Sequence, residues 1–118
     1  MKVIGLVRDL FFRAKIDAVA RATGADVSYA STLDSALGQC AEGSFAIIFA
    51  DLSDASLAAS DTVARIRAAA PHARLIGFAS HVDLKALRSA RDAGFDQTLS
   101  REQFTARLAE LLSSDRSS

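Results

Sequence analysis

Cysteine, proline and net charge are all scarce in this 118-residue sequence, which has one cysteine, one proline, and 14 acidic residues balanced by 14 basic ones. The lone thiol, Cys40, cannot form an internal disulfide and lacks the paired spacing of a zinc site or a redox CxxC, so nothing points to an oxidising compartment. Cys40 reads as a small apolar residue on a helix. A formal net charge of zero creates no global field toward nucleic acid or an anionic membrane, and neither is expected as a partner. No window approaches the roughly 18 uninterrupted apolar residues of a membrane span. The apolar stretch in MKVIGLVRDL is also too short for a signal peptide. A cytoplasmic protein is expected.

What is present is apolar and regularly punctuated. Half the residues are hydrophobic and only 24% are charged, enough to bury a core and too apolar for a disordered chain. The length fits one domain, expected over residues 1–113, with a flexible tail at 114–118 that carries no apolar anchor. In ATG-ADVSYA, AEG-SFAIIFA and DAG-FDQTLS a helical stretch closes on glycine before a strand-like run, as a left-handed C-cap requires. Pro71 ends a fourth helix, because proline cannot continue one.

The resulting order is five strands alternating with five helices. Strands are expected near Lys2 to Val7, Asp26 to Ala30, Phe45 to Ala50, Arg74 to Phe78 and Gln97 to Leu99. Helices are expected near Leu10 to Thr23, Leu33 to Glu42, Leu57 to Ala70, Leu84 to Ala93 and Arg101 to Leu112. Phe12, Ile16, Val19 and Thr23 recur at helical spacing, as do Phe104, Leu108 and Leu111, and Ser100 with Gln103 forms a capping-box start. VIGLV, AIIFA and LIGF are apolar at nearly every position, as in a parallel sheet covered on both faces, whereas ADVSYA alternates and suits an edge. This predicts a doubly wound α/β domain with right-handed crossovers.

In such a sheet, ligands bind beyond the carboxyl ends of the strands. The polar residues expected there are Arg8 and Asp9, Asp51, Ser80 and His81, and Ser100 and Arg101. From Val3 to Leu112 the order and spacing resemble the receiver domains of two-component response regulators, with their flavodoxin-like (βα)5 fold. FAIIFADL resembles the family's third strand and AGFDQTLSREQF its fifth strand and the start of its last helix. The resemblance implies that Asp51 is the phosphoacceptor position, that Asp9 and Asp51 face a magnesium ion, and that Ser80 and Arg101 face the phosphoryl group. A carboxylate that attacks a phosphoryl group needs such a cation, hydroxyl and neutralising charge.

The chain departs from the pattern at several of these positions. Arg8-Asp9 replaces two consecutive acids, which lowers the expected magnesium affinity. The hydroxyl position falls on Ala79 or Ser80 according to a one-residue choice, and only Ser80 retains the hydroxyl. Arg101 replaces lysine, Glu102 replaces proline, and Thr98 stands where many members carry an aromatic residue. The implied type is a degenerate, or pseudo-receiver, domain. Arg8 is expected to bridge Asp51 or Asp9 as a substitute cation, and His81, next to Ser80, is the other site-modulating candidate.

Phe11, Lys85, Arg88 and Arg91 are candidates for an interaction face, although a charged stripe is more often a solvated helix surface. A Ser80-His81 hydrolase dyad lacks a GxSxG elbow and a third group. A flavin or nucleotide site would need a small, amide-exposing loop after the first strand, and RDLFFRAK supplies bulky aromatics instead. The expected role is therefore non-enzymatic: a stand-alone signalling module that contacts a histidine kinase or a downstream effector, or forms a homodimer, with impaired phosphorylation of Asp51. The alternative is an active single-domain regulator phosphorylated on Asp51 with magnesium.

Overall fold

The computed structural model describes residues 1–113; the tail expected at 114–118 lies outside them. Five strands, β1 (Lys2–Leu6), β2 (Asp26–Tyr29), β3 (Ile47–Asp51), β4 (Arg74–Ala79) and β5 (Gln97–Ser100), form one parallel sheet in the order β2-β1-β3-β4-β5. Helices α1 (Leu10–Thr23), α2 (Leu33–Glu42), α3 (Ser60–Ala69), α4 (Leu84–Ala93) and α5 (Arg101–Ser113) connect and follow them. This is the expected flavodoxin-like winding, with β2 at an edge. Among the described residues, no helix is long and apolar enough to cross a membrane.

Alternation along the strands divides the interior into two layers. Val3, Ile47, Phe49, Ile76 and Phe78 pack against Phe12 and Ile16 of α1 and Phe104, Leu108 and Leu111 of α5. Ile4, Leu6, Ile48, Ala50 and Leu75 face Cys40 of α2, Ile66 of α3 and Ala90 of α4. Cys40 is buried in this second layer, as its apolar reading requires. The first layer centres on four phenylalanines, with Phe104 stacked on Phe78 at 4.4 Å and edge-on to Phe49 at 4.8 Å between ring centroids. Phe12 joins them at 4.9 Å from Phe78.

Three local features differ from the sequence expectation. Gly24 and Gly94 adopt the left-handed conformation with φ of 78° and 116°, but Gly43 is extended at φ −167°. The chain leaves α2 through extended Gly43 and enters β3 at Ile47 without a left-handed turn. The third helix starts later than expected, because Asp54 caps a separate 3-10 turn at Ala55–Ala58 and Ala59 is extended before α3 begins. The third strand starts at Ile47 rather than Phe45 and includes Asp51.

At the amino ends of β4 and β5 a polar clasp ties α3 to the segments that lead into the two strands. Arg67 of α3 donates to Asp96 at 2.8 Å, to the Gly94 carbonyl at 2.9 Å and to the Ala73 carbonyl at 3.0 Å. Asp96 also accepts from the Leu75 amide at 2.8 Å. Burial pushes the Asp96 carboxyl up, but the Leu75 amide and the Arg67 and Arg74 guanidiniums outweigh it and hold the carboxyl below its ordinary value. A depressed folded-state pKa gives stability that is present above the unfolded value of about 3.9 and lost as pH falls through the folded one. Urea midpoints measured from pH 7 down to pH 2 should fall more steeply for the wild type than for Asp96→Asn, with the variant less stable at neutrality. Parallel curves would contradict the clasp.

Candidate functional site

The opposite end of the sheet carries a polar cleft of about 210 Å³, lined among others by Arg8, Asp9, Asp51, Ser53, Asp54 and Arg101. It lies beyond the carboxyl ends of β1, β3 and β5, where the winding of this sheet opens a crevice. β3 is buried at every position, so Asp51 reaches the cleft floor with only 7% of its surface exposed. A carboxylate at such depth requires charged or hydrogen-bonding partners.

Asp51 has two. The Ser53 amide donates to Oδ1 at 3.0 Å, and Arg101 Nη2 lies 3.3 Å from both Oδ1 and Oδ2. Local sequence explains how Arg101 arrives there. The Ser100 amide donates to Gln103 Oε1 at 3.0 Å and the Gln103 amide to Ser100 Oγ at 3.1 Å, completing the expected capping box. This fixes Arg101 as the first residue of α5, and β5 ends level with β4 and β3 through the pairs Ala79 with Ser100 and Phe78 with Asp51. The guanidinium carbon lies 5.8 Å from the centroid of the Phe12 ring, so the cation rests against an aromatic face as well as a carboxylate.

Asp9 serves the fold as well as the cleft. Its Oδ1 accepts from the Phe11 amide at 2.9 Å and the Phe12 amide at 3.3 Å, capping α1. Asp54, which the sequence reading did not single out, accepts from the amide and hydroxyl of Ser56 at 3.1 and 2.6 Å. The visible signal for Asp54 was an aspartate two residues before a serine, a turn-forming pair. Among the described residues, no three histidine, cysteine, aspartate or glutamate side chains gather in a metal-holding arrangement.

The expected Arg8 bridge to Asp51 or Asp9 is replaced by a different pairing. Arg8 Nη2 lies 3.8 Å from Asp54 Oδ2, with 68% of the Arg8 side chain exposed. Arg8 reaches the outer loop at the rim, whereas Asp51 on the floor is engaged from the α5 side. Ser80 and His81 are exposed in the turn after β4 and do not line the cleft. Ser80 Oγ accepts weakly from the Val82 amide at 3.4 Å, while Ala79 ends β4 as a buried residue. Phe12 is core, and Phe11 is 86% exposed beside exposed Leu10. Lys85, Arg88 and Arg91 are exposed on α4, and Val82 and Leu84 extend that rim with apolar surface.

No protein-family model matches the sequence, and no curated protein matches it. Solved structures do resemble its fold. A response regulator from Thermotoga maritima matches with a TM-score of 0.81 and 16% identity over 99% of this chain and 98% of that one. A response regulator receiver domain protein from Clostridium thermocellum matches with a TM-score of 0.73 and 18% identity over 98% and 96%. A response regulator protein from Burkholderia pseudomallei, solved with a phosphorylated aspartic acid, calcium ion and citrate, has a TM-score of 0.73 and 18% identity over 97% and 72%. The chain therefore has the fold of response-regulator receiver domains.

The cap assigns Asp9 a measurable structural role. Asp9→Ala should cost about 1 kcal/mol in urea unfolding and Asp9→Asn only a few tenths, because asparagine caps as well as aspartate. Equal losses would exclude the cap as the source.

Proposed function

We propose that this chain is a receiver-type signalling module that acts through protein-protein contact, with phosphorylation of Asp51 impaired or absent. The observation that carries the proposal is the guanidinium of Arg101 astride both oxygens of Asp51. An aspartate that attacks a phosphoryl group needs an oxygen free to approach phosphorus and a divalent cation held by neighbouring carboxylates. Here the oxygens face a side-chain cation, the neighbouring acid position is Arg8, and Asp9 commits Oδ1 to a helix cap. Weak magnesium binding follows on this reading.

The module is non-enzymatic and cytoplasmic in this proposal, with no flavin, nucleotide or nucleic acid as ligand. Its partner is a signalling protein, either a histidine kinase or a downstream effector, or a second copy of the chain. Exposed Phe11 and the basic residues Lys85, Arg88 and Arg91 are the contact candidates, since each is free of the core.

A second reading rests on the shared cleft of Asp9, Asp51 and Arg101, whose residue types suit an active regulator that takes phosphate onto Asp51 with magnesium. Incubation with magnesium and acetyl phosphate, followed by intact-mass measurement beside an Asp51→Asn control, separates the two. No adduct is expected on the folded wild type. An adduct that needs both magnesium and Asp51 would overturn the proposal in favour of the active regulator.

A further inference from the structure

Three carboxylates line the cleft, and each already has a positive partner within the chain. Asp51 has Arg101, Asp54 has Arg8, and Asp9 has the amide-rich start of α1. A divalent ion entering this cleft would have to displace one of these partners before gaining a ligand. Magnesium in particular needs oxygens at about 2.0–2.1 Å in near-octahedral array. The nitrogen equidistant from both Asp51 oxygens occupies the approach it would use.

We infer that the Arg101 guanidinium is the resident cation of the cleft, a tethered counterion that makes the domain independent of divalent metal. The inference rests on the receiver-type reading and adds what governs its acidic site. Two features fix the guanidinium in that role. The capping box holds its backbone at the first turn of α5, so the charge is delivered by a folded element and not by a loose chain. The Phe12 face supports it from the core side, and that ring itself packs on Phe78 and Phe104. Its Nε is buried without a hydrogen-bond partner, and the described polar contacts of the side chain run through Nη2 to Asp51.

Tethering decides the competition. A group held by a short link acts at an effective concentration on the order of millimolar or above, and it loses no translational freedom when it pairs. Free magnesium at comparable concentration gains little against it, with only one uncommitted oxygen on Asp9 to add. Replacing Arg101 by a neutral residue reverses the balance, because Asp51 then keeps only the Ser53 amide on Oδ1 and presents Oδ2 without a partner beside Asp9.

The test compares thermal unfolding of wild type, Arg101→Gln and Arg101→Gln/Asp51→Asn in about 10 mM magnesium chloride and in sodium chloride of equal ionic strength. Magnesium should move the wild-type midpoint by less than about 1 °C, move Arg101→Gln upward by about 4 °C, and leave the double variant unmoved. A wild-type shift as large as that of Arg101→Gln, or no shift in folded Arg101→Gln, would overturn the inference. If Arg101→Gln does not fold, the wild type decides through manganese titration followed by broadening of the Ser53 amide resonance. Saturable broadening that Asp51→Asn abolishes would overturn the inference, and its absence supports it. Metal binding by a wild type that takes no phosphoryl adduct removes this inference and leaves the proposed function standing. An adduct on Asp51 removes the proposed function whatever the metal result.

Discussion

A carboxylate at the end of a strand buried at every position is costly unless a charge meets it, and in this fold Arg101 is the charge that does. The arrangement links elements far apart in sequence. β3 delivers Asp51 to the floor, β5 and its capping box deliver Arg101 to the wall, and α1 supplies the aromatic face on which the guanidinium rests. Because only Nη2 contacts Asp51, the pair falls short of the parallel two-nitrogen geometry that makes arginine-carboxylate contacts strongest. With the Arg101 side chain 41% exposed and that of Asp51 10%, its contribution lies above that of a surface pair and below that of a fully buried one.

The two ends of the sheet use charge differently. At the amino ends, Arg67 and Asp96 saturate backbone groups of Ala73, Gly94 and Leu75, so the ion pair is woven into the main chain. At the carboxyl ends, Asp9 and Asp54 cap their own turns, while Arg8 and Arg101 reach across the cleft. The first arrangement fastens α3 to the entries of β4 and β5, and the second gathers charge at an accessible crevice. Leu6, Leu33 and Leu57 of the second layer line that crevice, while the Phe12 ring that supports Arg101 belongs to the first and packs on Phe78 and Phe104.

Much of this was legible in the sequence because local rules and tertiary demands agreed. Apolar strands, helical stripes and the Ser100-Gln103 pair indicated a doubly wound sheet, and the alternating ADVSYA run marked an edge. Agreement ended where a local signal had two solutions. Gly43 looked like a left-handed cap, but α2 leads straight into an extended segment that any residue can adopt. Leu57 reads as part of the third helix in sequence, since the Asp54 cap and the extended Ala59 that divide them are backbone events without an apolar signature. At the site, Asp9, Asp51 and Arg101 could be named from their positions at strand ends. Which cation meets which acid could not, because Arg8 is one residue from Asp9 in sequence yet pairs with Asp54, and Arg101 lies 50 residues from Asp51. Partner choice across a cleft is set by strand register and rim depth, and neither is local.

Asp51 and Arg101 are energetic partners, and a double-mutant cycle measures that directly. Urea unfolding of wild type, Asp51→Asn, Arg101→Gln and the double variant isolates the interaction from the separate effects of each change. A coupling of roughly 1 kcal/mol or more that survives moderate salt is the expected result. Additive single and double variants would contradict that partnership, since the guanidinium would then contribute nothing to the carboxylate it rests on.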